Sequence, residues 1–221
     1  MAESGNALKE SADFARGCDS PTPDHDSDIC VRKSRVRTEQ ERLIEWAHRT
    51  RKIGRIPPIP EFGRGGEHVV MFHQRKSRFF KTTRPDRQLG YGCALSSYHP
   101  GATPSEYLDR LDLQNQVFED DIKLEWVVEN SGVPIVVISQ PAIKGSHASP
   151  RLIAEMMITL GFERLTDEAF YDGRGLLVFD LAPRNVIQVA SGHVFPIDPV
   201  IQRIDPEFGD FLREHPERIP R

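Results

Sequence analysis

Asp180-Leu181-Ala182-Pro183-Arg184-Asn185-Val186-Ile187, followed by Pro196-Ile197-Asp198, is the stretch on which the fold turns. A carboxylate is followed five residues on by an amide, and thirteen residues after that by a second carboxylate. The apolar runs Leu176-Leu177-Val178-Phe179, Val186-Ile187-Gln188-Val189 and His193-Val194-Phe195 predict short strands, the last two joined by a turn at Ala190-Ser191-Gly192. That layout would present Asn185 and Asp198 on one rim. Both carry hard oxygen donors, the type that suits Mg²⁺. Taken alone, the spacing also fits a hairpin with surface acids.

Upstream, Glu61-Phe62-Gly63-Arg64-Gly65-Gly66-Glu67-His68-Val69-Val70-Met71-Phe72 sets three glycines before an apolar strand. After Gln74-Arg75-Lys76, a second strand is predicted over Ser77 to Thr83, with Lys81 near its end. Glycine in such a loop lets the backbone approach a phosphate that any Cβ would hold away. A glycine-rich hairpin with an ordinary exposed lysine is the other reading. His68 reads either as a surface strand histidine or as a cap on a nucleotide.

Arg84 to Pro100 is rich in turn formers and predicts a long loop. Thr103, Pro104 and Glu106 make a helix start, with the threonine at the N-cap and the glutamate at the capping-box position. The helix runs to about Phe118, with Leu108, Leu111, Asn115 and Phe118 sharing a face. Ile122 to Val128 and Pro134 to Ser139 predict an antiparallel strand pair, leading into Gln140-Pro141-Ala142-Ile143-Lys144-Gly145. A helix from Ser149-Pro150 to about Leu160 follows, with Ile153, Met156, Met157 and Leu160 as its buried face and Gly161 as its stop.

In this order, from about 60 to 202, the chain resembles the protein-kinase fold. G-G-E-H-V, a strand lysine, I-x-S-Q-P-x-I-K-G, V-F-D-L-x-P-R-N-V and P-I-D-P-V together look like the compact serine/threonine/tyrosine kinase domain of bacterial and phage polyvalent proteins. The resemblance implies an α+β, bilobal protein-kinase-like fold with a truncated C-terminal lobe. Only 23 residues follow Asp198. It implies ATP and Mg²⁺ as cofactors. Asp180 would orient the acceptor hydroxyl and accept its proton, and Asn185 and Asp198 would hold the metal. Gly63, Gly65 and Gly66 would cover the phosphates, and Lys81 would contact them. Gln140 would be the gate residue, with the carbonyl of Pro141 and the N–H of Ile143 facing the base.

The chain departs from the kinase pattern at several points. The helix after the loop offers Asn115, with Asp112 at its edge, where a glutamate is usual. Lys81 is expected to be met by Asn115 or Asp112, the alternative being a core asparagine that bonds backbone. The histidine two before the loop aspartate is absent, and Pro199 stands where D-F-G has phenylalanine. Alanine at 182 and arginine at 184 resemble the tyrosine-kinase form of the loop. The leading expectation is a phosphotransferase acting on a hydroxyl, with a protein substrate. A pseudokinase acting as a nucleotide-gated module and a small-molecule kinase of the aminoglycoside or choline type are the alternatives.

The 221 residues suffice for one domain or two small lobes, and the net charge of −4 gives no nucleic-acid signal. Cys18, Cys30 and Cys93 are an odd, widely spaced set, which suggests reduced thiols and a cytoplasmic setting. No apolar run reaches membrane-spanning length, so no membrane partner is expected. Residues 1–37 are rich in Ser, Asp, Gly and Pro and predict a disordered tail, solvated or acting as a tether. A helix is expected to start at Thr38, where Glu41 completes a capping box, and to reach a linker by 56. The lobes are expected at 57–140 and 141–221.

Overall fold

The computed structural model of the chain describes residues 3–17, 29–85, 91–92, 94–95 and 101–220. They group into two compact units, Met1–Ala142 and Ile143–Arg221. Among the described residues, no helix is long and apolar enough to cross a membrane.

The first unit is built on an antiparallel sheet of β1 (Glu61–Arg64), β2 (His68–His73), β3 (Arg78–Thr83), β4 (Lys123–Asn130) and β5 (Val133–Pro141), in the order β1-β2-β3-β5-β4. The tightest connection is the Ser131-Gly132 turn between β4 and β5. Both residues have positive φ, 51° and 78°, the form whose twist matches a two-residue hairpin. Register places Lys81 opposite Val70 on one side and Ile138 on the other. Directly opposed residues share a face, so Lys81 lies on the face of Ile138.

That face is covered by α1 (Glu3–Arg16), α2 (Ile29–Arg49) and α3 (Pro104–Phe118). Their shared core includes Leu8, Ala12, Leu43, Trp46, Leu108 and Leu111 against Val127, Val136 and Ile138. The opposite face packs Met71, Phe80 and Val137 against Ile59, Trp126 and Val128. α3 begins as its residues dictate: the Thr103 side chain accepts from the Glu106 N–H, Glu106 reaches back, and Pro104 occupies the first turn.

The expected disordered tail over 1–37 is corrected at both ends. α1 sets Leu8, Ser11, Ala12 and Ala15 on one completely buried face. The stripe is made of small residues, so average composition hides it while its helical spacing still buries it. α2 begins nine residues before Thr38, which therefore sits inside a helix rather than at its start. Arg32 makes the earlier start tolerable. The residue is 5% exposed, but its guanidinium donates to Glu106 at 2.7 Å and to the Gly101 carbonyl. Residues 18–28, with Cys18, Asp24, Asp26 and Asp28, lie outside the described residues, as do Cys93 and most of the expected 84–100 loop.

α1 is tied to α3 by Arg16, which pairs with Asp109. Burial raises the Asp109 carboxyl to about 6, helped by Asp13, Asp112 and Glu39, while Arg16 opposes the rise. A raised acid pKa means the native chain holds this proton more tightly than the unfolded chain does. The charge therefore costs stability as pH rises from the ordinary carboxylate range through about 6. The side chain keeps 39% exposure, so solvent screening limits the effect to about 1 kcal/mol. The stability difference between wild type and Asp109→Asn is expected to change by that amount between pH 4.5 and 7.5 in denaturant titrations. A difference constant across the window would refute the assignment.

The second unit holds two small antiparallel sheets, numbered on from β5. β6 (Ser146–His147), β10 (Val186–Gln188) and β11 (Val194–Pro196) form one, in the order β11-β10-β6. β7 (Glu163–Arg164), β8 (Phe170–Tyr171), β9 (Leu176–Phe179) and β12 (Val200–Arg203) form the other, in the order β12-β9-β8-β7. α4 (Pro150–Thr159) is capped by Ser149 and followed by left-handed Gly161. Ile153 and Met157 are buried, whereas Leu160, expected on the buried face, is 44% exposed. The helix has already ended at Thr159, which turns Leu160 out. α5 (Pro206–Glu214) starts where the Asp205 carboxylate caps the Glu207 N–H and Pro206 occupies the first turn.

Candidate functional site

In the first unit the site is the glycine segment and the sheet face carrying Lys81. Gly63, Gly65 and Gly66 do not have left-handed backbone. A Cβ added at Gly63 or Gly66 would meet nothing within 4 Å, and one at Gly65 only the His68 carbonyl at 3.9 Å. Among the described residues, neither conformation nor packing therefore requires glycine at these three positions. Gly145 is the opposite case. A Cβ there would fall 2.1 Å from the Gln188 carbonyl oxygen, so its glycine is demanded by close approach to β10.

The contrast is testable. Gly65→Ala and Gly66→Ala are expected to leave unfolding unchanged or raise stability by about 0.4–1 kcal/mol, through the unfolded chain. The same substitutions should weaken ATP binding about tenfold by calorimetry, because the methyl groups enter ligand space. Gly145→Ala should instead cost about 1–3 kcal/mol of stability. Unaltered affinity at 65 and 66 would mean that these glycines serve no ligand.

The glycine segment is held at both ends. The Gly65 N–H donates to the His68 carbonyl at 2.8 Å, and Arg84 Nη1 donates to the Gly65 carbonyl at 2.8 Å. Beside Lys81, on alternate positions of the same face, Phe79 stands opposite Phe72. Their ring centroids are 5.1 Å apart, and Phe62 joins at 5.2 Å from Phe79 while remaining 68% exposed. This aromatic patch next to the lysine was missed in the sequence. Its signal is the parity of Phe72, Phe79 and Lys81 once the β2–β3 register is known.

His68 is not a surface histidine. It is 3% exposed, and its Nε2 meets the Tyr107 hydroxyl at 2.8 Å. Asn115 spends its amide on main chain, donating to the Ile122 carbonyl at 2.9 Å and accepting its N–H at 2.8 Å. The alternative expected for it, an asparagine that bonds backbone, is the arrangement present: the amide holds the connection from α3 to β4. Asp112 accepts from Gln116. Gln140 is buried, pairs across strands with Phe79, and donates to Asp120 at 2.6 Å, which also receives Gln114. Pro141 ends β5 opposite Arg78, and the next N–H, of Ala142, donates to the Ser77 carbonyl at 2.9 Å. Ile143 is half-buried at the start of the second unit.

In the second unit the site is the 180–185 turn. β9 delivers Asp180 with φ +56°, a left-handed conformation that is uncommon outside glycine. Leu181 and Ala182 are buried and anchor the turn, and Pro183 opens a single 3₁₀ turn that ends at Asn185. The Asn185 amide nitrogen donates to the Asp180 carbonyl at 2.9 Å, which turns its oxygen the other way. The Asn185 carbonyl accepts the Ile197 N–H at 2.8 Å, extending the β10–β11 ladder to the residue before Asp198.

Asp180 Oδ1 accepts from Arg184 at 2.7 Å. Burial raises the Asp180 carboxyl above the usual aspartate value. Arg184 opposes this, Asp198 and Glu168 add to it, and the Asn185 hydrogen bond lowers it again. Asp180, Asp198 and Glu168 thus form one electrostatic group. Glu168 escaped the sequence reading; it lies between the paired strands of a hairpin, Glu163 to Tyr171. Its carbonyl accepts the Leu181 N–H at 3.1 Å, so this hairpin braces the loop.

Carboxylates beside an amide oxygen on one turn, and a glycine segment with open space above it beside a strand lysine, are the donor types that phosphoryl transfer uses. Comparison with curated proteins finds no match for the chain. The sequence profile of the serine/threonine/tyrosine kinases found in polyvalent proteins matches residues 38–205, three quarters of the chain, and the chain belongs to that family.

Proposed function

We propose that the chain transfers the γ-phosphoryl group of ATP to a hydroxyl group of a protein, with Mg²⁺. The observation that carries this reading is the set of three glycines that the chain itself does not need. Their open side fits a phosphate chain approached by backbone N–H groups. The Lys81 ammonium supplies positive charge to those phosphates, and Phe62, Phe72 and Phe79 offer an aromatic surface for the base. Asn185 and Asp198 are the oxygen donors suited to holding Mg²⁺, which supplies charge neutralisation on the phosphates.

Asp180 accepts the proton of the acceptor hydroxyl as the new P–O bond forms and the bond to ADP breaks. The proton then leaves to solvent. Its raised proton affinity suits that role better than an ordinary surface aspartate would. Arg184, paired with Asp180, fixes which carboxylate oxygen faces the acceptor. The strained backbone at Asp180 is the kind retained where geometry matters more than local stability.

A second reading, a nucleotide-gated binding module, is favoured by the commitment of Asn115 to the Ile122 main chain. The two part in one experiment. The purified chain is incubated with γ-labelled ATP and Mg²⁺, alone, with a mixed protein substrate, and with a panel of hydroxylated metabolites. Label on serine, threonine or tyrosine supports the proposal. Label on a metabolite alone moves the substrate to small molecules. Thermal stabilisation by ATP and Mg²⁺ without ADP release rejects the transferase in favour of the module.

A further inference from the structure

Where the glycine segment passes into β2, the chain buries a charge pair. Arg110 of α3 is 3% exposed and forks onto Glu67, with Nη1 to Oε1 at 2.8 Å and Nη2 to Oε2 at 2.5 Å. Both carboxylate oxygens are thereby fixed by one planar group. The pair is itself boxed in. The Arg110 guanidinium lies over the Tyr107 ring at 5.2 Å, and Tyr107 also holds His68, the next residue along β2. Gly92, at φ +62°, approaches so closely that a Cβ would fall 1.9 Å from Glu67 Oε1. The Glu67 main chain is tied as well, its carbonyl accepting the Arg84 N–H at 2.8 Å, while the Arg84 side chain holds the Gly65 carbonyl.

Among the described residues, Gly65 is held by His68 and by Arg84. The Glu67–Arg110 fork joins it to a helix. We propose that this fork is the positioning contact through which α3 sets the conformation of the Gly63–Gly66 segment, so that any displacement of α3 is passed to the phosphate-covering backbone. Arg110 and Glu67 are positioning residues, and they act through the loop rather than on substrate. The inference rests on the proposed function only for its effect on nucleotide; the mechanical link stands on the geometry.

The experiment measures amide hydrogen exchange over residues 61–70 without nucleotide, in wild type, Glu67→Gln, Arg110→Lys and Tyr91→Phe. Glu67→Gln keeps the shape and removes the charge. Arg110→Lys keeps the charge and removes the fork, and serves if Glu67→Gln does not fold. Tyr91→Phe is the control. It loses a buried hydroxyl bond to the Pro134 carbonyl within the same cluster, without touching the fork. Exchange at Gly65 is expected to rise about tenfold in both fork variants, with β4 and β5 unchanged and the control at the wild-type rate. In turnover assays, KM for ATP should rise about tenfold and kcat should stay within about threefold.

Equal exchange in the fork variants and the control, or a uniform rise across the whole sheet, reduces the pair to ordinary core and overturns the proposal. A wild-type chain that neither binds nor consumes ATP sinks the kinase reading instead, and the exchange data still decide the link.

Discussion

Asp180→Asn is expected to slow phosphoryl transfer by about 10²–10⁴-fold while leaving the fold and ATP affinity intact. The substitution is chosen for its backbone. Asp180 sits at φ +56°, where asparagine is among the best-tolerated residues, so Asn adds no strain that Ala would add. Its Oδ1 can still accept from Arg184, and its main-chain carbonyl still receives the Asn185 amide. What is lost is the negative charge that takes the proton of the acceptor hydroxyl. Single-turnover rates with labelled ATP, beside affinity measured by calorimetry, separate the chemical step from binding. A rate within about threefold of wild type would remove Asp180 as the base. A parallel loss of affinity and stability would mean that its charge serves the turn rather than the reaction.

How much of this was visible in the residues alone differs between the two units. The hairpin that brings Asn185 towards Asp198 was legible, because alternating apolar residues on both sides of Ala190-Ser191-Gly192 admit few other pairings. So was α3, whose capping box is entirely local. What escaped depends on partners distant in sequence. Arg32 looks like part of a solvated tail until Glu106, 74 residues away, neutralises it and lets α2 begin early. Leu8, Ala12 and Ala15 look too small to order a segment until α3 supplies the surface they bury against. Asn115 shares a face with Leu108 and Leu111, as its spacing says. Spacing cannot say that Ile122, seven residues on, satisfies both halves of its amide. Buried polar groups find their nearest partners, and those partners are set by the β4 connection rather than by the helix. Glu168 marks a different limit: its main-chain carbonyl holds the 180–185 turn, a contact that residue type does not announce.

Asp198→Ala carries the other large effect, a loss of at least about 100-fold in apparent Mg²⁺ affinity, read as the Mg²⁺ concentration giving half-maximal turnover. The reasoning starts at Asn185. Its amide nitrogen is occupied by the Asp180 carbonyl, so the side chain is held with only its oxygen available to a cation. That oxygen is neutral and single. The Asp198 carboxylate is the charged donor of the pair, and it is delivered by the ladder that binds the Ile197 N–H to the Asn185 carbonyl. Removing it leaves a lone amide oxygen, which does not compete with water for an ion that dehydrates reluctantly. Mn²⁺ accepts the same carboxylate and carbonyl ligands and, being larger, gives up its water more readily than Mg²⁺. In Asp198→Asn, which restores a second neutral oxygen, Mn²⁺ should therefore recover more turnover than Mg²⁺ does. The Asp180 carboxyl feels Asp198 as a like charge, so the substitution also relieves repulsion there. A variant with normal Mg²⁺ dependence and normal turnover would remove Asp198 from the metal site. A variant that is merely unstable, with Mg²⁺ dependence unchanged in the folded fraction, would assign the residue to the structure of the β11 end instead.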